Sequence, residues 1–347
     1  MGNGGYMNSR FEEMRMLFKY SNYFKLVCGA GNENAEEVHK LSIIYTLAGA
    51  NGFDVSAKPE IVKASIAGIE KAYDLAERLK IKIPNRPFIT VSVGMPGDNH
   101  VRKAFIKPEQ CIECNSCISV CPTKAISDSL IIIRDLCIGC GHCEAVCPPK
   151  ANAIVYEHDE KVLSEILPAC LDAGAENIEL HAAVLDNGTI LKEWKLVSDI
   201  QPNNYISMCL DRFHLSNMHL IERIKQAAKI AGERLIIQAD GVPMSGGIDN
   251  FNTTLQAIAI ADVINKNLME KELKFRQLPI LLSGGTNGQT ADLAKRCNVK
   301  YSGVSIGTHA RKIVQKNVDS ENFYSDKGQL LTAVTIAKDL VTRSLNI

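Results

Sequence analysis

The stretch Cys111-Ile-Glu-Cys114-Asn-Ser-Cys117-Ile-Ser-Val-Cys121-Pro122 is followed by a second of the same form, Cys137-Ile-Gly-Cys140-Gly-His-Cys143-Glu-Ala-Val-Cys147-Pro148. Each has the spacing C-x2-C-x2-C-x3-C-P, and together they hold eight of the chain's 12 cysteines. Cysteines clustered in this way favour metal binding in a reducing compartment over a secreted disulfide framework. These two cysteine runs therefore predict a metal-binding module in the middle of the chain.

The spacing is that of bacterial ferredoxins with two iron–sulfur clusters, in which the fourth cysteine of each run ligates the cluster of the other run. This rule predicts two [4Fe–4S] clusters, one held by Cys111, Cys114, Cys117 and Cys147, and the other by Cys137, Cys140, Cys143 and Cys121. Zinc knuckles and disulfides are the alternatives, since paired C-x2-C also binds zinc. The doubled pattern with both prolines is much more specific for clusters, and clusters imply an electron donor or another redox partner.

Composition sets limits on the partners of the chain. Its 347 residues include 39 basic and 39 acidic side chains, a balance that gives no attraction to nucleic acid or to an anionic membrane. No stretch reaches about 18 consecutive apolar residues, so we expect no membrane span. Residues Met1 to Asn8 lack the apolar run of a signal peptide, so we expect a cytoplasmic protein.

Outside the cysteine runs, short apolar strands alternate with amphipathic helices. Strands are predicted near residues 25, 54, 90, 179, 208, 237, 281 and 305. Eight such units in roughly 290 residues fit a (β/α)8 barrel of the TIM type. An open, doubly wound parallel sheet is the alternative, because periodicity does not report whether a sheet closes.

The cysteine runs interrupt this alternation between the third strand and its helix. We therefore expect an N-terminal extension over residues 1–23, a barrel built from 24–100 and 158–347, and an inserted ferredoxin-like α+β domain over 101–157. A loop that follows a barrel strand lies at the C-terminal face, where the active sites of barrel enzymes are built. The clusters are therefore expected over the mouth of the barrel.

Two glycine-containing loops follow the seventh and eighth predicted strands. Ser283, Gly284 and Gly285 lie in the first, and Gly307 and Thr308 in the second. Loops at these positions of a barrel commonly bind a phosphate through backbone N–H groups and a helix N-terminus. The loops thus predict a site for FMN or a phosphorylated small molecule, although turns of this kind are often rich in glycine without binding anything.

Polar residues at predicted strand ends are candidates for catalysis. Glu179 and His181 lie two apart on one strand and so share a face. With Asp240 they are suited to proton transfer, and the glycine-rich loop 240–247 could close over a ligand. The alternative of equal weight is that buried carboxylates at strand ends hydrogen-bond loop amides.

Segments outside the cysteine runs carry a family resemblance. Phe24-Lys-Leu-Val-Cys28-Gly-Ala, Tyr45-Thr-Leu-Ala-Gly-Ala50 and Ser283-Gly-Gly-Thr-Asn287 resemble the light-dependent period proteins of cyanobacteria, and the resemblance covers most of the chain past Tyr23. It implies a redox-sensing iron–sulfur protein that reports photosynthetic electron transport as light input to the circadian clock and associates with clock proteins. It supplies no catalytic residues. An oxidoreductase whose clusters pass electrons to a flavin or phosphorylated substrate at the C-terminal face is the alternative, so enzymatic activity stays open.

Overall fold

The computed structural model describes residues 9–94, 102–158, 162–212, 215–241 and 250–345. The N-terminal Met1 to Asn8 and most of the glycine-rich loop 240–247 lie outside these ranges. The strands are β1 (Tyr23–Val27), β2 (Gly52–Ser56), β3 (Phe88–Gly94), β4 (Arg102–Ile106), β5 (Ile154–His158), β6 (Asn177–His181), β7 (Ile206–Leu210), β8 (Leu235–Asp240), β9 (Ile280–Ser283) and β10 (Gly303–Ile306).

The α-helices fall between these strands and at both ends of the chain. They are α1 (Ser9–Lys19), α2 (Ala35–Ala48), α3 (Pro59–Leu79), α4 (Ser116–Ser119), α5 (His142–Val146), α6 (Leu163–Asp172), α7 (Asn187–Ile200), α8 (Asn217–Ala231), α9 (Asn250–Ile264), α10 (Thr290–Arg296), α11 (Thr308–Val318) and α12 (Lys327–Ser344). None of the described helices is long and apolar enough to cross a membrane.

Eight parallel strands close into a barrel in the order β1-β10-β9-β8-β7-β6-β3-β2. The closing pair is β1 with β10, where Tyr23 to Leu26 run beside Gly303 to Ile306. This pairing confirms the predicted (β/α)8 barrel and excludes the open doubly wound sheet. The strands that the sequence predicts near 25, 54, 90, 179, 208, 237, 281 and 305 are all present in the barrel wall.

Local sequence signals fix where the barrel helices begin and end. Helix α2 is capped by Asn34 at its start, where the Asn34 side chain accepts a hydrogen bond from the backbone N–H of Glu37. Gly49, with a φ of 91°, caps its end. A left-handed residue at this position suits glycine, which has no Cβ to clash. Such helices bury their apolar faces against the outer side of the barrel, where Leu26 and Trp194 are completely buried.

Helix α1 closes the N-terminal end of the barrel. The Phe11 ring stacks on Tyr205 with centroids 4.4 Å apart, and Phe18 meets Tyr23 edge-on at 4.9 Å. These rings form a separate apolar cluster with side chains from the first residues of other strands, namely Phe88, Ile236 and Leu281. The barrel interior is therefore sealed at this end, and any open approach must come from the C-terminal face.

The residues from β4 to β5 form a small unit of their own. Strands β4 and β5 pair antiparallel in a two-stranded sheet that is separate from the barrel wall. Apolar side chains and the cysteines of both runs make a second core there. The backbone N–H of Glu33, in the loop after β1, donates to Asp135 O at 3.2 Å. The unit thus contacts the C-terminal face of the barrel, and we call it the insert.

Candidate functional site

Two cavities in the insert are lined by the cysteine runs. The first is lined by Cys111, Cys114, Cys117 and Cys147, and the second by Cys121, Cys137, Cys140 and Cys143. Each cavity thus takes three cysteines from one run and the fourth from the other, which is the grouping that the spacing predicts. None of the 12 cysteines forms a disulfide in this structure.

The cavity walls suit an iron–sulfur cluster. Backbone N–H groups point at the sulfur atoms of three cysteines: Ala125 N donates to Cys121 Sγ at 3.2 Å, and Ala104 and Ala153 donate to Cys137 and Cys147 at 3.4 Å. Hydrogen bonds of this kind stabilise the negative charge of thiolates and clusters and help to set reduction potentials. The donor set and its amides therefore fit the group that the sequence predicts.

Burial alone would keep several of these thiols protonated. It raises the pKa of Cys143 to about 11, and it also raises the pKa values of Cys117 and Cys140. The exposed Cys114 differs, because hydrogen bonding from the Ser116 backbone lowers its pKa. A coordinating metal ion deprotonates a thiol outright, so the buried cysteines would acquire their charge when they bind the metal.

Lys103 joins the second cavity to the barrel. Its side chain is only 2% exposed. The ammonium group donates to Cys137 O at 2.7 Å and Arg134 O at 3.0 Å within the insert, and to Gly31 O at 2.7 Å in the loop after β1. It also lies 3.7 Å from the Glu33 carboxylate. Three backbone carbonyls thus occupy the three donors of an ammonium group, and one charge holds a cysteine loop and a barrel loop together.

The inside of the barrel is charged, whereas most barrels of this type fill it with branched apolar side chains. Lys25 Nζ of β1 lies 2.6 Å from Glu179 Oε2 of β6 and 3.2 Å from Asp54 Oδ2 of β2. Strands β2 and β3 lie between β1 and β6 in the wall. The Lys25–Glu179 contact therefore crosses the lumen of the barrel.

Further polar side chains extend this network. Gln238 Nε2 donates to Glu179 Oε1 at 2.6 Å, and Gln238 Oε1 accepts from Ser305 Oγ at 3.1 Å. His181 Nε2 lies 3.6 Å from Glu179 Oε1. Ser92 Oγ donates to the carboxylate of Asp54. Gln238 Nε2 also lies 3.6 Å from Cys209 Sγ. We call these connected side chains the lumen network: Lys25, Asp54, Ser92, Glu179, His181, Cys209, Gln238 and Ser305.

The charge of each group in the lumen network depends on two opposing effects: burial disfavours the charged form, and a nearby opposite charge favours it. Burial opposes the charge on Lys25, but Asp54 and Glu179 outweigh it and raise the pKa of the Lys25 ammonium above its usual range. Burial raises the pKa of Asp54, and the proximity of Lys25 offsets this only in part. Lys25 is therefore a fixed cation, and it is not a free amine that could act as a nucleophile.

The three predicted proton-transfer residues lie on the barrel strands β6 and β8. Glu179 and His181 lie together in the lumen network. The carboxylate of Asp240 instead lies against Gly284, with Oδ1 2.5 Å from where a Cβ would stand on that glycine. Sequence reasoning missed Lys25, although a lysine within the apolar run of β1 was a signal for a buried charge.

The predicted phosphate loops pack closely against neighbouring loops. Gly284 and Gly285 both have a φ of 68°, and a Cβ on Gly285 would lie 2.6 Å from the Thr253 side chain. The hydroxyl of Thr253 donates to Gly285 O at 3.0 Å. Gly307 immediately precedes α11, whereas Thr308 is its first residue. Close packing thus explains the glycines at 284 and 285 without a ligand, and the phosphate site stays a prediction.

Comparison with known proteins covers both parts of the chain. Residues 107–157 match the model of the LdpA Fe-S cluster-binding domain, and residues 170–343 match that of the light dependent period A C-terminal domain. The chain is 32% identical over 298 residues to light dependent period A of Synechococcus elongatus, covering 83% of this chain and 80% of that protein.

Two of the solved structures similar to the chain have TM-scores below 0.5. The YdjI aldolase of Escherichia coli K12 matches with a TM-score of 0.43 and 10% identity, covering 94% of this chain and 92% of that one. Dihydrodipicolinate synthase of Oceanobacillus iheyensis matches with a TM-score of 0.41 and 9% identity over 93% and 80%. On the matches to both domain models and to the full-length relative, the chain is an iron–sulfur protein of the light-dependent period A family.

Proposed function

We propose that the protein is a redox sensor that reports photosynthetic electron transport as light input to a circadian clock. Its insert would hold two [4Fe–4S] clusters, one on Cys111, Cys114, Cys117 and Cys147 and the other on Cys121, Cys137, Cys140 and Cys143. Such clusters supply one-electron redox chemistry. Family membership and the name of the S. elongatus relative support this role, and clock proteins are the proposed partners.

The observation that carries the proposal is the position of Lys103. A sensor needs a connection between the group that changes charge and the surface that responds. Lys103 contacts Cys137 O and Gly31 O at the same distance of 2.7 Å. A unit charge ~4–10 Å from an ammonium changes its energy by about 2–4 kcal/mol at an effective dielectric constant near 20. Extra negative charge in the cysteine loop would draw Lys103 towards Cys137 and away from Gly31.

Hydrogen exchange of the first barrel loop tests this connection. We expect residues 28–34 to exchange faster in the dithionite-reduced protein than in the oxidised one, measured anaerobically by mass spectrometry. Lys103→Met should abolish most of this difference, whereas Lys150→Met, at an exposed lysine of the insert, should leave it intact. Iron content confirms that both variants remain loaded. A redox difference that survives in Lys103→Met, or is absent from the wild type, would contradict the proposal.

The number and type of clusters need a separate measurement. Anaerobically purified protein should contain about eight irons per chain with matching acid-labile sulfide, as two four-iron clusters require. Fewer than four irons after careful reconstitution, or zinc in their place, would overturn the ligand assignment.

An oxidoreductase is the second candidate, and the lumen network favours it. Burying several charged side chains inside a barrel lowers its stability. A role in ligand binding or in a reaction would explain why this barrel contains them. In this case the clusters would deliver electrons to FMN or to a phosphorylated small molecule at the C-terminal face. Mass spectrometry of small molecules released from anaerobically purified protein decides this point. A flavin or phosphorylated metabolite at about one per chain would support the oxidoreductase hypothesis. An extract that contains neither would contradict it.

A further inference from the structure

Three side chains of the lumen network have potential metal-ligating atoms that lie close together. Glu179 and His181 of β6 and Cys209 of β7 are buried, and their ligand atoms all lie within 4.8 Å of one another. His181 and Cys209 are paired directly in the register of the two strands. We propose that these three side chains bind one divalent metal ion of the zinc type, in addition to the iron of the insert.

The ligand types select the metal. A thiolate and an imidazole favour zinc or cobalt over magnesium or calcium, which prefer oxygen ligands. Two ligands ~2.1 Å from a tetrahedral zinc lie about 3.4 Å apart, and Glu179 Oε1 lies 3.6 Å from His181 Nε2. Three protein ligands leave one position of a tetrahedral zinc for water, substrate or a further side chain.

The surroundings of Glu179 match those of a metal ligand. Its Oε2 is held by Lys25 at 2.6 Å, and Lys25 is held in turn by Asp54 at 3.2 Å. Carboxylates that ligate metals are usually oriented by such outer hydrogen bonds. With Asp54 ionised and Cys209 bound as a thiolate, the lumen network would hold one cation, Lys25, and three anionic groups, Asp54, Glu179 and Cys209. The two negative charges that remain are balanced by a divalent cation.

Gln238 can supply a fourth ligand. Its Nε2 donates to Glu179 Oε1 at 2.6 Å and lies 3.6 Å from Cys209 Sγ, between the two ligands. Exchanging the two ends of the amide would turn Oε1 towards the metal and Nε2 towards Ser305. The Ser305 hydroxyl now donates to Gln238 Oε1 at 3.1 Å and can accept just as well. This exchange therefore turns an oxygen of Gln238 towards the metal and keeps the hydrogen bond with Ser305.

Cobalt is the probe that tests the site. The full-length protein with its clusters reconstituted, and with iron and sulfide quantified, is titrated anaerobically with Co²⁺ after removal of adventitious metal. We expect one equivalent to bind and to produce a thiolate-to-cobalt charge-transfer band, seen as a difference spectrum above the cluster absorbance. Zn²⁺ should displace the cobalt and abolish the band.

Variants separate this site from the clusters. Cys209→Ser should eliminate the charge-transfer band, and His181→Ala should weaken Co²⁺ binding by at least the ~10–100-fold that loss of an outer partner costs. Cys28→Ala is the matched control, because Cys28 is also a buried barrel cysteine outside the runs, and it should bind like the wild type. Iron content should stay constant throughout, so failure here leaves the redox proposal untouched.

Two results would overturn the inference. One is a wild-type protein that binds no cobalt while its clusters are intact. The other is a band of the same intensity in Cys209→Ser, which would assign the cobalt to another cysteine. Far-ultraviolet circular dichroism checks that each variant is folded, and the wild-type titration decides the question even if a variant is not.

Discussion

Lys25 carries a positive charge inside the barrel because Asp54 and Glu179 hold it there. Lys25→Met would leave two carboxylates buried without their cation, and breaking a buried pair in this way costs about 3–5 kcal/mol. We expect that loss in the free energy of unfolding, measured anaerobically in urea. Lys195→Met breaks only an exposed pair with Asp199 and should cost about 0.3–0.5 kcal/mol.

A compensating variant distinguishes lost pairing from lost packing. If the carboxylates cause the destabilisation, adding Asp54→Asn and Glu179→Gln to Lys25→Met should recover part of the stability, since their effects are coupled. A triple variant less stable than Lys25→Met would argue against this electrostatic explanation.

Asp54 should keep its proton at a pH where an ordinary aspartate has lost it. Burial raises its pKa above the unfolded value of about 3.9. The stability that this proton contributes is fully present below that value and is lost as the pH rises through the folded-state pKa. Infrared difference spectra should show a protonated-carboxyl band above pH ~4 that Asp54→Asn removes and Asp199→Asn, at an exposed aspartate, retains. A band common to all three proteins would contradict the assignment.

At the scale of elements, helix α1 covers the N-terminal end of the barrel. Phe11→Ala would remove a ring that is 6% exposed and stacked on Tyr205, and we expect a loss of about 3–5 kcal/mol. Met16→Ala lies on the same helix at 44% exposure and should change stability by less than about 0.5 kcal/mol. Guanidinium unfolding of both variants measures the difference, and equal effects would show that α1 does not seal the barrel.

The sequence predicted the positions of the strands better than it predicted which way their side chains point. Apolar runs placed every barrel strand, and the cysteine spacing grouped the residues of both cavities. Alternation along a strand gives two faces but does not say which one points inwards, so the meeting of Lys25 with Glu179 could not be foreseen. Lys103 was missed because its partners are backbone carbonyls, which no side-chain pattern reveals. The helix α11 was missed as well, because its polar residues Thr308, His309 and Arg311 resemble a loop.

At the scale of the whole molecule, we propose that residues 101–157 fold as a unit that depends on its clusters. The cysteines form part of the insert's own core, whereas the barrel core contains none of the cluster residues. Cys111→Ser combined with Cys137→Ser should therefore make the insert sensitive to protease while the barrel stays folded. Limited proteolysis with mass spectrometry locates the cuts, and Cys297→Ser, at an exposed cysteine, is the control. Global loss of helical circular dichroism would contradict a separate unit.

Strand β3 pairs with β6 instead of with the next strand along the chain. A ribosome must therefore synthesise the 82 residues from 95 to 176 before β3 gains its second neighbour. At ~5–20 residues per second this takes about 4–16 s. During that interval both cysteine runs emerge beside a three-stranded nascent sheet whose edges are still open. Metal can therefore reach the insert before the barrel closes, and until β6 arrives the uncovered β3 edge is the part of the nascent chain most exposed to aggregation and to chaperones.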